Sequence, residues 1–259
     1  MYLTNCEKDN NYIPTRSVVV ESYVTPGDSV SIQVFQILQY TSTDTVTKTI
    51  DNCIIQLFHN NKIYQVPFVD SGLYILKGIN PKIQAGDSVS IRFEVNNEII
   101  SASTTIPQKP TNYTSTTTSI TMPDFSAGFN RELFRGQEPI ELSWNNDDES
   151  YYMVVVKPID TTNNLIYSAD TIGRPRIRVF RNEPSISSYY RLEIFNFSYY
   201  GYQNVILYHL NPEYAALYKF SGNTSLNIKE LPTNINNGFG IFTGLNADTI
   251  TVNVKKSSK

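Results

Sequence analysis

At 259 residues the chain exceeds the usual size of one domain, so two modules are expected. Its net charge is -3, and its 21 lysines and arginines are scattered rather than gathered into a stripe, which excludes nucleic acid as an expected partner. The sequence contains no run of about 18 apolar residues, so no membrane-spanning helix is predicted.

The composition favours strands over helices. Tyrosine (18) and phenylalanine (13) are abundant, whereas charged residues make up only 17% of the chain. Aromatic and β-branched side chains suit the half-buried surface of a pleated sheet. The predicted fold class is therefore all-β, with two β-sandwich modules of immunoglobulin-like or fibronectin-like type.

Residues 1–15 are predicted to form a tether, because the stretch after Cys6 is polar, carries Pro14 and shows no period. The first module is predicted at 16–107. Strand-sized runs there are separated by turn residues and fall at 16–24, 29–38, 53–59, 62–69, 72–79, 88–95 and 98–107. Asn60-Asn61 and Asn96-Asn97 can adopt the positive φ of hairpin turns.

The module boundary is predicted at residues 107–119, a proline- and threonine-rich stretch expected to make few contacts and to be cut first by proteases. The second module is predicted at 120–255. Its strands are expected at 139–144, 151–159, 165–172, 176–180, 189–197, 203–210, 240–242 and 249–254. Asn211-Pro212 predicts one short helix, with a capping residue followed by proline at the first helical position. Trp144 is predicted to anchor the core of this sandwich.

Leu3-Thr4-Asn5-Cys6 resembles a lipobox, in which Cys6 receives the lipid. A working signal needs a basic start and an apolar stretch of about 7–15 residues, so this prediction requires a longer natural N-terminus. The alternative is an incidental cysteine. If lipidated, Cys6 would hold the protein to the membrane through the lipid alone.

The remaining reactive residues do not form a catalytic pattern. Cys53 begins an apolar strand and is predicted to be a small core residue. His59 and His209 are too far apart in sequence to support a metal triad or a Ser-His-Asp arrangement. The oxygen-rich run 145–149 lacks the spacing and glycine of a calcium loop, so a solvated loop is expected. The prediction is a protein without catalytic residues, metal or cofactor.

The densest aromatic stretch places Tyr199, Tyr200 and Tyr202 around Gly201. At a turn, such rings could form an exposed platform that stacks on a sugar or peptide. Packing in the core is the alternative. These three tyrosines are the predicted contact residues.

Several segments together resemble a Bacteroidota lipoprotein family catalogued as domain of unknown function 4249. They are the lipobox-like Cys6, VVVESYVTPGDSVSIQV, IDNCIIQLFHNNKIYQV, AGDSVSIRFEVNNEIISASTTIP and the late run 231–242, LPTNINNGFGIF. In that late run, Asn236, Asn237, Gly238 and Gly240 are predicted to be structural. Asn237-Gly238 is expected to form a hairpin turn, and Gly240 is expected to allow close backbone approach.

The resemblance implies an outer-membrane lipoprotein, at the cell surface or the periplasmic face, that serves a TonB-dependent transporter in nutrient uptake. The alternative is a structural or adhesive surface protein whose sandwiches act as spacers. No catalytic residues come with the resemblance, and an enzyme is not expected.

Overall fold

The computed structural model describes residues 17–37, 48–123, 138–159, 165–166, 179–221 and 232–257. The predicted all-β class is confirmed, because strands dominate these ranges. In the first part of the chain the strands are β1 (Val18–Val24), β2 (Ser29–Gln36), β3 (Ile55–His59), β4 (Lys62–Val66), β5 (Phe68–Asp70), β6 (Leu73–Lys77), β7 (Ser88–Val95) and β8 (Glu98–Thr105).

The second part of the chain continues with shorter strands and two helical segments. They are β9 (Thr114–Ser115), β10 (Ser119–Met122), β11 (Ile140–Ser143), β12 (Tyr151–Pro158), β13 (Phe180–Arg181), β14 (Tyr189–Leu192), a 3-10 helix (Ile194–Asn196), β15 (Gly201–Leu210), helix α1 (Pro212–Ser221) and β16 (Phe239–Lys256). The predicted strands at 165–172 and 176–180 fall largely outside the described residues. No helix in the described ranges is long and apolar enough to cross a membrane.

A first sandwich forms from β1, β2, β6 and β5 on one side and a four-stranded sheet, in the order β4-β3-β7-β8, on the other. Alternate side chains of both sheets point inward and form the first core, which includes Val20, Ile32 and Leu57. The hairpins β3–β4 and β7–β8 turn at Asn60-Asn61 and Asn96-Asn97, and all four asparagines have positive φ, as the sequence predicts.

The second core lies between β12, β15 and part of β16 on one side and a three-stranded sheet, in the order β14-β11-β9, on the other. Trp144 is buried there, as predicted, with its ring 5.7 Å from that of Tyr152 between centroids. The predicted strand at 189–197 ends at Leu192, because the next residues form the 3-10 helix. That helix has a capping box between Glu193 and Asn196.

Both cores share one nine-stranded sheet, in the order β13-β12-β15-β16-β1-β2-β6-β5, with β10 also paired to β16. Two separate strands were predicted at 240–242 and 249–254, but the chain forms the single 18-residue strand β16. The start of β16 pairs in parallel with β1, and its later part pairs antiparallel with β15. The predicted modules 16–107 and 120–255 are therefore corrected, because Ile235 and Phe242 belong to the first core.

The predicted linker at 107–119 is bound along β15 and β16. Asn246 Nδ2 donates to the Pro107 carbonyl at 2.9 Å, and Lys109 Nζ lies 2.9 Å from Asp248 Oδ1. The Tyr113 hydroxyl donates to the Val205 carbonyl at 3.2 Å. β10, which starts at residue 119, then adds to the edge of β16. The expectation of a stretch with few contacts is therefore corrected.

Helix α1 begins at Pro212, confirming the predicted short helix. It packs on the outer face of the large sheet, where the Tyr214 ring meets Tyr23 of β1 edge to face at 5.9 Å. Near the end of the helix, Lys219 Nζ lies 5.2 Å from the centre of the Tyr151 ring on β12. The helix thus contacts strands that belong to both cores.

Candidate functional site

The three tyrosines predicted to make contacts have three different environments. Tyr199 is only 3% exposed, which corrects its assignment as a contact residue. Tyr200 is half-buried; its hydroxyl donates to the Pro123 carbonyl at 2.9 Å, and Lys256 Nζ lies 6.0 Å from the centre of its ring. Tyr202 is 58% exposed. The three rings therefore do not form one platform.

Their separation follows from the start of β15. Gly201 has a φ of +92°, a conformation that glycine adopts readily, and the strand begins there. Tyr199 lies before this point in a bridge with Leu165, whereas Tyr202 points to the outer face of the large sheet. The sequence shows the aromatic cluster, but it does not show which of the three rings are buried and which are exposed.

Tyr202 has an apolar neighbour that the sequence analysis did not single out. The Ile159 amide donates to the Tyr202 carbonyl at 3.1 Å, which continues the register of β12 and β15 by one residue. The Ile159 side chain is 57% exposed and shares the outer face with Tyr202. On the other side of Tyr202, its partner in β16 is Asn253. We call Ile159, Tyr202 and Asn253 the Tyr202 surface.

The asparagines of the late run connect two sheets. Asn236 forms an antiparallel bridge with Ser101 of β8, and its Nδ2 also donates to Ser101 Oγ at 3.1 Å. Asn237 Nδ2 donates to the Ile99 carbonyl at 3.0 Å. Asn237 has a φ of +56°. The chain then leaves the four-stranded sheet and joins β1, so the predicted hairpin at Asn237-Gly238 is corrected to a crossover between sheets.

The glycines of this run permit close backbone approach. A Cβ at Gly238 would lie 2.9 Å from Ile235 Cγ2 and 3.0 Å from the Val18 carbonyl oxygen. Gly240 has a φ of +95°, and a Cβ there would overlap the backbone carbonyl of Val20 in β1. The close approach predicted at Gly240 is therefore present, and it brings β16 against β1.

Two further polar residues secure the same segment. Asn234 Nδ2 donates to the Phe242 carbonyl at 2.7 Å, and its Oδ1 accepts from the Phe242 amide at 3.0 Å. Thr233 Oγ1 donates to the Gly240 carbonyl at 2.9 Å. These side chains bond the edge of β16 that faces away from β1. The late run therefore has a structural role in the described residues.

Of the two cysteines, the structure describes only Cys53. Cys6, the predicted lipidation site, lies outside the described residues. Cys53 is a free, half-buried cysteine packed against the first core. Burial raises the pKa of its thiol, which disfavours the thiolate needed for nucleophilic chemistry. Its backbone amide donates to the Tyr74 hydroxyl at 3.0 Å.

The two histidines make unrelated contacts. His59 is buried, with Nε2 2.7 Å from Asp87 Oδ2, and this hydrogen bond holds the pKa of the Asp87 carboxyl below its ordinary value of 3.8. The His209 ring stacks on Tyr152 at 4.8 Å. Within the described ranges, no three histidine, cysteine, aspartate or glutamate side chains are grouped closely enough to hold a metal ion.

The oxygen-rich run 145–149 is closed by its own hydrogen bonds. Asn146 Nδ2 donates to the Ser150 and Ile186 carbonyls at 2.9 and 2.7 Å, and Asn146 Oδ1 accepts from the Ser150 amide at 2.9 Å. The Ser150 hydroxyl donates to Asp148 Oδ2 at 2.8 Å. These oxygens therefore stabilise the turn before β12.

These features define an all-β protein built of packed β-sheets. The family model described as "Domain of unknown function (DUF4249)" matches residues 4–251, and the chain belongs to that family. A comparison with curated proteins found no match.

The solved structures that are similar to this chain include two proteins made of several domains. One is the FN1-FN3 domains of chicken CNTN1, at 12% identity and a TM-score of 0.27, covering 92% of this chain and 69% of that one. Another is a chimeric titin Z1Z2-Z1Z2 tandem that carries a GRGDS peptide from fibronectin. Its identity is 10% and its TM-score 0.21, and the match covers 94% of this chain and 97% of that one.

Proposed function

We propose that the protein is a lipid-anchored accessory or binding protein of the Bacteroidota cell envelope that works by contact beside a TonB-dependent outer-membrane transporter in nutrient uptake. The Tyr202 surface is the observation that carries the contact role. Its two large side chains, Tyr202 and Ile159, are neighbours on one sheet face and are both more than half exposed. Tyrosine supplies a large amphipathic contact area at a low cost in side-chain entropy.

The position of this surface also favours binding. Tyr202 and Asn253 lie on regular strands that pair over ten residues, so the backbone beneath the surface is held before any partner arrives. A preorganised surface loses less entropy on association than a loop does. The proposed contact therefore lies on a sheet face.

The contact role is tested by capture of the transporter. Solubilised outer membranes from cells that express full-length, tagged protein are compared with those from the double variant Tyr202→Ser/Ile159→Ser, and a TonB-dependent transporter is sought by mass spectrometry. We expect the variant to recover at least about tenfold less transporter. Ile186→Ser is the matched control, because Ile186 is also exposed, at 52%, but lies outside this surface. Equal recovery by all three proteins would contradict the contact role.

The anchor is tested separately. In the full-length protein, Cys6→Ser should move the chain from the membrane fraction to the soluble fraction, because a diacylglyceryl group with an amide-linked chain meets the two-signal requirement for stable anchoring. Identical partition of the two proteins between detergent and aqueous phases would exclude the lipid anchor and leave the contact test unaffected.

A structural spacer is the second candidate, favoured by one observation. β16 pairs with β1 at its start and with β15 in its later part, so one continuous strand joins the two cores. Such a body could transmit load without binding a transporter. Under this alternative, the Tyr202→Ser/Ile159→Ser variant would behave like wild type in every binding assay, whereas a break in β16 would abolish surface display.

A further inference from the structure

The outer face of the four-stranded sheet carries an open groove of about 390 Å³. Two exposed isoleucines, Ile54 at 68% and Ile99 at 43%, belong to its walls. Its charged groups are Arg92 and Glu94 of β7, and its amides are those of Asn52 and Gln56. Grooves of this volume are within the range of ligand-binding sites in proteins.

The Arg92 side chain is exposed, and among the described residues it has no hydrogen bond or ion pair. Its neighbours on adjacent strands are Gln56 of β3 and Ser101 of β8, both uncharged. The planar guanidinium presents five N–H donors in a geometry that matches a carboxylate. An acidic group that enters the groove would therefore meet an unneutralised cation.

Glu94 carries the opposite charge, about 7 Å along β7 from Arg92. It lies two residues after Arg92 on the same face of β7, opposite Ile99 of β8. Residues i and i+2 of an extended peptide are also about 7 Å apart and point the same way. An acidic and a basic side chain at that spacing would meet Arg92 and Glu94 together, and the methylene stem of a lysine on Glu94 would pack against Ile54 and Ile99.

The size of this face indicates a segment rather than a globular partner. Two strands of five residues and two of eight, about 4.8 Å apart, present roughly 400 Å², whereas a standard interface buries about 800 Å² on each partner. We propose that this groove binds an extended peptide segment of a partner protein that carries an acidic and a basic side chain two residues apart. The proposal is independent of the Tyr202 surface, which lies on the large sheet.

The test uses two capped pentapeptides of one composition, Thr-Glu-Thr-Lys-Thr and Thr-Glu-Lys-Thr-Thr, titrated into the full chain and followed by NMR shifts of residues 88–105. We expect the first peptide to bind at least about fivefold more tightly, because only its charges have the required spacing. Arg92→Glu should abolish this preference between the two isomers, and the variant should bind Thr-Lys-Thr-Lys-Thr at least about tenfold more tightly than Thr-Glu-Thr-Lys-Thr.

Arg191→Glu is the matched control, because Arg191 is an exposed strand arginine on the three-stranded sheet, and it should bind as wild type does. Equal affinity for the two isomeric peptides, or an unchanged preference in Arg92→Glu, would overturn the proposal. Shifts of the same residues that grow with protein concentration without peptide would also overturn it, because they would identify a second copy of the chain as the occupant.

Discussion

The two halves of β16 join two different cores by different physical means. From Phe239 to Gly244 the strand approaches β1 so closely that Gly240 has no room for a side chain, and the Asn234 amide bonds its other edge. From Leu245 onward the strand pairs with β15 over ten residues, and its buried valines fill the second core. The first half therefore adds backbone fit and polar bonds to the burial of Phe242, whereas the second half depends on apolar burial.

This contrast shows how one strand can serve two sandwiches. Where two backbones approach closely, few substitutions are tolerated, because the close-packed interior has no space for added atoms. Apolar burial is graded, because each lost methyl group costs a limited free energy. The two halves should therefore respond to mutation on different scales.

The largest effect is expected at Gly240. Gly240→Ala should lower the free energy of unfolding by at least about 3 kcal/mol, because the new Cβ overlaps the Val20 carbonyl and also strains the backbone. Gly201→Ala is the matched control. Gly201 has nearly the same φ, +92° against +95°, but no atom within 4 Å of an added Cβ. If urea unfolding shows equal losses for both variants, close approach does not hold the first half.

A smaller loss is expected in the second half. Val252 is fully buried in the second core, so Val252→Ala should cost about 2 kcal/mol through lost burial and a small cavity. The neighbouring Thr251 is exposed, and Thr251→Ala should change stability by less than about 0.5 kcal/mol. A Val252→Ala loss as large as that of Gly240→Ala would remove the distinction between the halves.

A loss of about 1–2 kcal/mol is expected where the junction meets β16. Asn246→Ala removes the donor to the buried Pro107 carbonyl and leaves that group unpaired. The same variant should become more sensitive to proteolysis at residues 107–119, whereas wild type should resist cleavage there. Rapid cleavage of the wild-type junction under native conditions would contradict the bound path of this segment.

The smallest effect is expected from pH and should be confined to the first core. The pKa of Asp87 is lowered in the folded protein by its hydrogen bond to His59, so the stabilisation is present above the ordinary value of 3.8. It is lost as pH falls through the lower, folded pKa. Wild type should exceed Asp87→Asn by less than about 1 kcal/mol near pH 6, because solvent screens a partly exposed carboxylate. The unfolding free energies of the two proteins should become equal near pH 2. A difference that does not change with pH would show that ionisation of Asp87 is not its cause.

The sequence predicted most of the first sandwich because its signals are local. Alternating apolar residues marked the strands, and the two Asn-Asn pairs marked the hairpins. Helix α1 was predicted from Asn211-Pro212 for the same reason. Periodicity and capping act over a few residues, so a single sequence suffices to read them.

The shared sheet was missed because strand partners are not local. Residues 241–246 do not alternate: Phe242 and Thr243 are both buried, since the first core covers one face and helix α1 the other. A strand buried on both faces loses its period of two, so β16 was predicted as two short strands. Proline and threonine at 107–119 indicated a linker, whereas the bonds from Asn246 and Tyr113 depend on the tertiary fold.

The candidate site was predicted only in part, for the same reason. The aromatic cluster was visible, but Gly201 placed Tyr199 in the interior and Tyr202 on the surface. Ile159 belongs to the site only because it pairs with Tyr202, which is more than 40 positions later in the sequence. The signature glycine Gly240 was recognised because a glycine in a strand indicates close approach regardless of the partner.

The pairing of β1 with β16 also constrains the order in which the chain can fold. Val19 pairs with Phe239, about 220 residues later, so β1 cannot complete its pairing until β16 has formed. Until then β1 has an unpaired edge, and the first core lacks Phe242. The large sheet therefore closes late, and the chain would need protection from aggregation until residues 239–256 are in place.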